Sequence, residues 1–343
     1  MAKSSWTHLK GENRVGEYEE LTLQMGHWWM HDDPQWPLEL RDGYHLFSET
    51  GVGMIEPTRL VIKDPLAYRD RNKLTYRSYI LRQDNEEKKL DAIVEGAKAR
   101  NGFVRVSAPA AIVQNYVPAL RHYFWGSGMM QIYGSAYTPS STVMNTLLFQ
   151  VFDSMRHAQR LVELSWELNG QSTRSIDSRD IWLNWRPVQP LRKFIEYGMA
   201  TFDWGEAFVA LNFVFDPIFH PVHDVIMIDI PEATGDWPVA QFWLRLAEDV
   251  KGHIATGNDF VKAMIKESPT NRVVIQEWVD KWYPLAVDAI DGLRPILEEA
   301  HRHDYPEIKS AILRRFAEAL SAHGFVLPVT HGELNEPAVH ISG

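Results

Sequence analysis

Two histidine-containing tetrapeptides are the residues of this sequence that come nearest to a metal site. Ser154-Met155-Arg156-His157 and Val250-Lys251-Gly252-His253 each keep the histidine of a Glu-x-x-His pair and lack the glutamate. Two intact pairs on separate helices, with one carboxylate from each of two further helices, hold the two irons of di-iron carboxylate bundles. The sequence therefore has the spacing of such a site without the oxygen ligands that a non-haem iron site needs.

The residues that replace the glutamates have a physical reason. A buried glutamate without its cation is costly, and Ser154 and Val250 remove that cost. Glu206 and Asp216, on a predicted helix at 190–219, are candidate remnants of a further inward carboxylate. The alternative for both is an ordinary helix carboxylate paired with a basic side chain or capping a turn. We interpret all six positions as vestigial and predict no metal and no catalytic residue on this chain.

Other patterns are weaker. Glu298-Glu299-Ala300-His301 is an intact Glu-x-x-His with no second copy, and His220-Pro221-Val222-His223-Asp224 lacks a third ligand group. The glycine pairs at 51–53 and 126–128 do not complete a dinucleotide fingerprint. We interpret these as chance, loop or capping residues.

The composition limits the classes of function. A formal charge of −10 argues against general nucleic-acid binding, and the lack of cysteine excludes disulfides and thiolate metal sites. No apolar run is long enough to cross a membrane, and residues 1–6 do not resemble a signal peptide, so we expect a cytoplasmic protein. Thirteen Trp, 12 Tyr and 15 Phe are enough for a large core and for a permanent interface.

Helical spacing dominates from residue 76 onward. Long helices are predicted at 139–169, 237–266 and 271–303, the last kinked by proline, and shorter ones at 76–100, 108–124 and 306–323. Gly126 and Gly128 are predicted to break the helix that begins near 108. No strand alternation occurs. The fold class is therefore all-α, a large long-helix bundle.

Residues 1–75 hold scattered prolines and tryptophans without a lasting helical period. We interpret them as an extended arm with short helical turns that buries its aromatics on its own body or on a partner. The predicted domains are this arm at 1–75, a helical domain at 76–324 and a tail at 325–343.

Five stretches carry a resemblance to a known family. They are 6–9 (WTHL) with 17–18, 64–83 around LTYRSY, 139–156 including DSMR, 202–212 (FDWGEAFVALN) and 278–286 (WVDKWYPLA). Over residues 6–320 the chain resembles the β subunit of the hydroxylase component of soluble di-iron monooxygenases, of the toluene, alkene or isoprene type. The resemblance implies a ferritin-like (ribonucleotide-reductase-like) bundle.

The resemblance also implies partners and cofactors. In that family the α subunit holds the di-iron site, the β subunit is its metal-free paralogue, and the hydroxylase is a dimer of αβγ trimers. A regulatory protein, a Rieske ferredoxin and an NADH-dependent reductase with FAD and iron–sulfur centres complete the system. It oxidises alkenes or aromatic hydrocarbons, and toluene, isoprene, propene and phenol all remain open as substrates.

We expect large aromatic side chains and their neighbours to anchor the partner subunit, with core packing as an equal alternative for the helical tryptophans. The candidates are Trp6, Trp28, Trp29, Trp36, Tyr76, Arg77, Trp204, Trp278 and Trp282. Two other functions compete with a structural subunit. A di-iron oxidase in its own right would hold two irons per chain, and a stand-alone helical interaction protein would be a well-behaved monomer.

Overall fold

The computed structural model describes residues 16–24, 58–64, 67–103, 108–109, 111–138, 140–170, 177–299 and 304–328. Within these ranges the regular structure is helical and no strand occurs, which confirms the all-α prediction. In chain order the helices are α1 (Glu17–Gln24), α2 (Tyr76–Ala99), α3 (Val117–Tyr137), α4 (Ser141–Leu168), α5 (Ser178–Asn184), α6 (Gln189–Met199), α7 (Trp204–Phe208), α8 (Asp216–Asp224), α9 (Ile230–Thr234), α10 (Trp237–Glu267), α11 (Pro269–Gly292), α12 (Arg294–Glu299) and α13 (Tyr305–Ala322).

The antiparallel pair α3–α4 forms one side of the bundle. The predicted break at Gly126 and Gly128 is wrong, because α3 continues through both. A Cβ on Gly126 would lie 2.3 Å from Cγ2 of Ile195, and one on Gly128 would lie 2.3 Å from Cε of Met155. The glycines are therefore sites of close helix packing rather than helix ends. Helix α4 begins two residues after its predicted start at 139, with the Ser140 side chain capping Val143 N–H.

The centre of the bundle is a continuous helical segment over residues 204–234, the central helix. Two π-helical stretches, Val209–Phe215 and Val225–Asp229, join α7, α8 and α9. The predicted single helix at 190–219 is wrong, because α6 ends at Met199 and Asp203 caps a new helix through the N–H groups of Gly205 and Glu206. The side chains of the central stretch Val209–Phe215 are all buried.

Helices α10 and α11 complete the bundle, and α10 lies within one residue of its predicted bounds at 237–266. Helix α10 touches the central helix at Gly257, where an added Cβ would lie 2.5 Å from the carbonyl oxygen of Asn212. Pro284 lies inside α11, and the helix predicted to reach 303 ends at Gly292 before α12. Helix α13 ends ahead of Gly324, whose φ of +75° is one that glycine adopts readily.

The part of the predicted arm that is described packs on the helices of its own chain. Leu60 and Tyr68 belong to the main core, and the Asn271 side chain bonds both backbone groups of Val61. Trp6, Trp28, Trp29 and Trp36 lie outside the described residues. None of the described helices is both long and apolar enough to span a membrane.

Candidate functional site

Two aspartate–histidine pairs connect α4 and α10 across the interior. His157 Nε2 on α4 lies 3.1 Å from Asp249 Oδ2 on α10, and His253 Nε2 on α10 lies 3.0 Å from Asp153 Oδ2 on α4. Each aspartate stands four residues before the histidine of its own helix, so both project from one face. Each helix thus supplies one acid and one imidazole, and each group bonds its opposite on the other helix. All four residues are buried.

Helix α2 supplies neutral hydrogen-bond donors to both carboxylates. Tyr79 Oη donates to Asp153 Oδ1 at 2.7 Å. Gln83 Nε2 lies between the two pairs and donates to Asp153 at 2.7 Å and to Asp249 at 3.1 Å. The oxygen atoms that a metal would need are therefore already used by protein donors.

Asp249 differs from Asp153 in having a guanidinium partner. Arg156 forms an ion pair with Asp249 and a second one with Glu87 at 2.8 Å. The Arg156 side chain is only 11% exposed, so its charge needs these acids. A fixed protein cation thus occupies this end of the site.

The two histidines have opposite pKa shifts. Burial lowers the pKa of His157 and outweighs the hydrogen bond to Asp249 that would raise it. Burial also disfavours the charged form of His253, but its hydrogen bond to Asp153 and the charge of that carboxylate raise its pKa above the ordinary value. Burial would raise the pKa of Asp249, yet the hydrogen bond from His157 and the charge of Arg156 hold it well below its usual range. The shifts favour a neutral imidazole at His157, beside the ion pair of Arg156 and Asp249. They favour the protonated imidazole at His253, beside Asp153.

The two positions that lack glutamate are filled by small or apolar groups. Ser154 Oγ donates to Gln131 Oε1 at 2.9 Å, and Val250 is an apolar side chain with 2% exposure. The ring of Phe124 packs edge-on against His157 with centroids 4.8 Å apart. The space beside His157 is thus occupied by an aromatic ring.

The other two vestigial candidates lie apart from these pairs. Glu206 accepts hydrogen bonds from Lys281 Nζ at 2.5 Å and from Trp282 Nε1 at 2.8 Å. It is therefore a helix carboxylate paired with a basic side chain, the alternative to a remnant metal ligand. Asp216 Oδ1 lies 3.4 Å from Tyr123 Oη and 3.6 Å from His220 Nε2. Neither carboxylate bonds His157 or His253.

The weaker motifs also find ordinary roles. His223 Nδ1 bonds Tyr116 Oη at 2.6 Å inside the core. Glu298 forms an exposed ion pair with Arg294, while His301 lies outside the described residues. Among the residues that the structure describes, no group of three or more His, Cys, Asp or Glu side chains is arranged to hold a metal ion.

A di-iron centre does not fit the donor set between α4 and α10. Such a centre uses four carboxylates and two histidines. Here Asp153 and Asp249 bond imidazole, amide, phenol and guanidinium groups, and the two Glu-equivalent positions carry no carboxylate. The arrangement connects the two helices through charge and hydrogen bonds.

The predicted interface residues that lie in the described ranges fall into two sets. Trp204, Trp278 and Trp282 are at most 2% exposed within this chain, so the core alternative describes them and they have no surface to offer a partner. Tyr76 is 66% exposed and Arg77 is exposed, so both are open to a partner.

Four residues of this site were not predicted from the sequence: Asp153, Asp249, Gln83 and Tyr79. A signal for the aspartates exists, since Asp-x-x-x-His occurs at 153–157, 216–220 and 249–253, on three helices that face the interior. In each of these motifs the acid stands one residue before the position of the glutamate in Glu-x-x-His. Gln83 and Tyr79 carry no such signal, because only the packing of α2 brings them to the site.

The fold is a long-helix bundle in which two aspartate–histidine pairs lie where a di-iron carboxylate bundle would hold its metal. The family model for methane, phenol and alkene hydroxylases matches residues 36–268, which is more than half of the chain. The chain belongs to this family, as a β-type subunit of a multicomponent monooxygenase hydroxylase.

Two relatives and a solved structure are similar to this chain over most of its length. The β subunit of the hydroxylase component of the toluene-4-monooxygenase system of Ectopseudomonas mendocina is 27% identical over 85% of this chain and 90% of its own length. The oxygenase component DmpL of phenol 2-monooxygenase from Pseudomonas sp. (strain CF600) is 26% identical over 71% of this chain and 74% of its own. The phenol hydroxylase structure from Pseudomonas sp. OX1 has a TM-score of 0.77 at 21% identity, covering 93% of this chain and 94% of that one, and it shows the shared fold.

Proposed function

We propose that this chain is a non-catalytic, metal-free structural subunit of an NADH- and O2-dependent hydroxylase that oxidises alkenes or aromatic hydrocarbons. Oxygen activation takes place on di-iron held by a partner α subunit. The observation that carries the proposal is the cross-pairing of the four interior groups, in which both His Nε2 atoms bond carboxylates of the opposite helix.

The assembly follows from membership in the family. Hydroxylase components of this kind work with partner subunits, and here we propose a dimer of αβγ trimers served by a regulatory protein, a Rieske ferredoxin and an NADH reductase with FAD. The relatives act, by their names, on toluene and phenol, and an aromatic hydrocarbon is the substrate class they favour. The proposed site of the complex is the cytoplasm, and the arm at 1–75 is proposed to wrap the α subunit.

Exposed apolar side chains on α2 and α4 support a permanent partner. Tyr76, Ile80 and Phe152 are 66%, 44% and 41% exposed, and Tyr79 and Phe152 are in ring contact at 5.9 Å. Large neighbouring apolar groups on a soluble surface typically mark a protein interface. We propose that Tyr76 and Arg77 contact the α subunit on this side.

The test removes both imidazoles from the assembled complex. The hydroxylase genes are co-expressed with the double variant His157→Gln/His253→Gln, and iron per αβγ unit and turnover are measured. We expect iron content and turnover per assembled complex to stay within about twofold of the wild type, because the reacting metal lies elsewhere. A fall in the iron content per assembled αβγ unit would contradict the proposal and would favour a di-iron site in this chain.

A control separates chemistry from stability. His323→Gln changes a half-buried histidine that bonds Asn258 Oδ1 at 3.1 Å and takes no part in the α4–α10 pairs. Size-exclusion chromatography gives the fraction assembled for each variant, and activity is compared per mole of assembled complex. A complex that never forms with any partner chain instead favours the stand-alone interaction protein.

A further inference from the structure

Residues 58–64 lie in a groove between α7, α10 and α11. We name it the α7–α10–α11 groove, and we name the residues within it the 58–64 segment. The segment has no regular secondary structure, so side-chain contacts with the groove hold it in place. The polar groove residues are Asp203 at the cap of α7, Glu267 at the end of α10, and Asn271 and Glu277 on α11.

Two carboxylates of the groove accept hydrogen bonds from the backbone of the segment. Arg59 N–H donates to Asp203 Oδ2 at 2.7 Å. The N–H groups of Lys63 and Asp64 donate to Glu267 Oε2 at 3.0 and 2.9 Å. Every residue except proline has a backbone N–H, so these bonds recognise a backbone rather than a particular side chain.

Asn271 pairs with the middle of the segment in the manner of a neighbouring strand. Val61 N–H donates to Asn271 Oδ1 at 2.7 Å, and Asn271 Nδ2 donates to the carbonyl of Val61 at 2.9 Å. The same Nδ2 donates to the carbonyl of Met264 at 2.8 Å, which fixes the orientation of the amide. Peptide-binding sites that take an extended ligand gain affinity from main-chain hydrogen bonds of this kind.

Two side chains of the segment give the groove its selectivity. Leu60 is 6% exposed and belongs to the main core. A Cβ on Gly205 would lie 2.8 Å from Cδ1 of Leu60, so the glycine leaves the space that the leucine occupies. Arg59 forms an ion pair with Glu277 at 2.5 Å, and both side chains are about half exposed. The groove therefore fits a basic residue followed by leucine.

The helix beneath the segment is capped without it. Asp203 Oδ1 accepts from the N–H groups of Gly205 and Glu206, and only Oδ2 is used for the segment. The segment itself is mostly open to solvent, with exposed residues at 59, 61, 63 and 64. Because a stretch with few buried contacts opens at a lower free energy than the helices beneath it, we expect the segment to leave the groove while the bundle stays folded.

We infer that the α7–α10–α11 groove is a peptide-binding site for an extended segment in which a basic residue precedes leucine. The 58–64 segment is its ligand within the chain, and a free copy of the same segment can replace it. The inference uses only residues of this chain and stands apart from its role in the hydroxylase.

Fluorescence anisotropy measures the replacement. The probe is a fluorescein-labelled peptide TRLVIKD, the sequence of residues 58–64, added to the full-length chain with its co-purifying subunits. Leu60→Asp in the chain weakens the resident segment and leaves the groove side chains unchanged. Because the apparent Kd rises as the open fraction falls, this variant should bind the probe at least about tenfold more tightly than the wild type. A probe that carries the same Leu60→Asp change should bind neither chain.

Hydrogen exchange of the wild-type chain is a second readout that needs no substitution. An excess of the probe should raise deuterium uptake at residues 58–64, because the displaced amides lose their acceptors, and should leave α10 and α11 unchanged. If circular dichroism shows that the Leu60→Asp chain is unfolded, this experiment decides alone, and unchanged uptake at 58–64 overturns the inference.

A charge reversal locates the bound probe. Glu277→Lys in the Leu60→Asp chain should weaken binding about threefold, because the arginine of the probe then faces a cation, and a probe with Arg59→Glu should recover the loss. Asp288→Lys is the matched control, an exposed acid about three turns further along α11, and should leave the Kd unchanged. No saturable binding to the folded Leu60→Asp chain, equal binding of the leucine and aspartate probes, or equal effects of the two lysine substitutions would each overturn the inference.

Discussion

The two aspartate–histidine pairs between α4 and α10 have the same spacing and nearly the same length, yet they hold different charges. His157 pairs with an aspartate that already has Arg156 as its cation, and burial keeps this imidazole neutral. His253 pairs with an aspartate whose other described donors, Tyr79 and Gln83, are neutral, and its pKa is raised. The difference teaches that the cation available to a buried acid, rather than the motif, decides the protonation of the histidine beside it.

The largest expected effect comes from removing the acid that holds the fixed cation. Asp249→Asn leaves the guanidinium of Arg156 with Glu87 alone, and a buried charge deprived of its partner is strongly destabilising. We expect the free energy of unfolding to fall by about 3 kcal/mol. Asp153→Asn should cost less, about 1–2 kcal/mol, because His253 can lose its proton while Arg156 cannot.

Urea unfolding of the assembled protein measures both losses. Asp84→Asn is the control, since Asp84 forms an exposed pair with Lys88 and its removal should cost under about 0.5 kcal/mol. A loss for Asp153→Asn that equals or exceeds that for Asp249→Asn would mean that the two pairs do not differ in the way described.

A smaller effect is the dependence of stability on pH, which should have opposite sign for the two histidines. The raised pKa of His253 stabilises the fold fully below 6.5, and this contribution is lost as pH rises through the folded-state pKa. The lowered pKa of His157 acts in reverse. Below pH 6.5 the unfolded chain binds a proton that the folded chain does not, so stability falls as pH falls toward the folded-state pKa.

Unfolding free energies between roughly pH 5 and 9 for the wild type, His253→Gln and His157→Gln separate the two contributions. His253→Gln should reduce the fall in unfolding free energy as the pH rises. His157→Gln should reduce the fall in unfolding free energy as the pH drops. The same direction of change in both variants would contradict the assignment of one neutral and one charged imidazole.

The smallest expected effect concerns a position that has lost the glutamate. Ser154→Ala removes the donor to Gln131 Oε1 and should lower the free energy of unfolding by about 1 kcal/mol, with iron content of the complex unchanged. Ser165→Ala is a matched control on the same helix, because Ser165 donates only to the Leu161 carbonyl of its own helix. No difference between the two variants would show that the Ser154 hydrogen bond adds nothing specific.

Helical spacing and caps predicted the framework because they act locally. Helix α10 was placed within one residue of its observed end, while the predicted break at Gly126 and the continuous helix at 190–219 were both wrong. The low helix propensity of glycine predicted a break at Gly126, but this glycine allows the side chain of Ile195 from another helix to pack closely. In the same way His157 and His253 were visible in the sequence, whereas their cross-pairing depends on how α4 faces α10, which no local pattern encodes.

The backbone contact at Gly257 has a consequence for the histidine that precedes it by four residues. The absence of a Cβ at Gly257 sets how near α10 lies to the central helix, because a Cβ there would stand 2.5 Å from the carbonyl oxygen of Asn212. Alanine at 257 would force the helix axis outward, and the 3.0 Å hydrogen bond between His253 and Asp153 would be stretched along with it. An interhelical bond between two polar side chains thus depends on one absent carbon atom a full turn away.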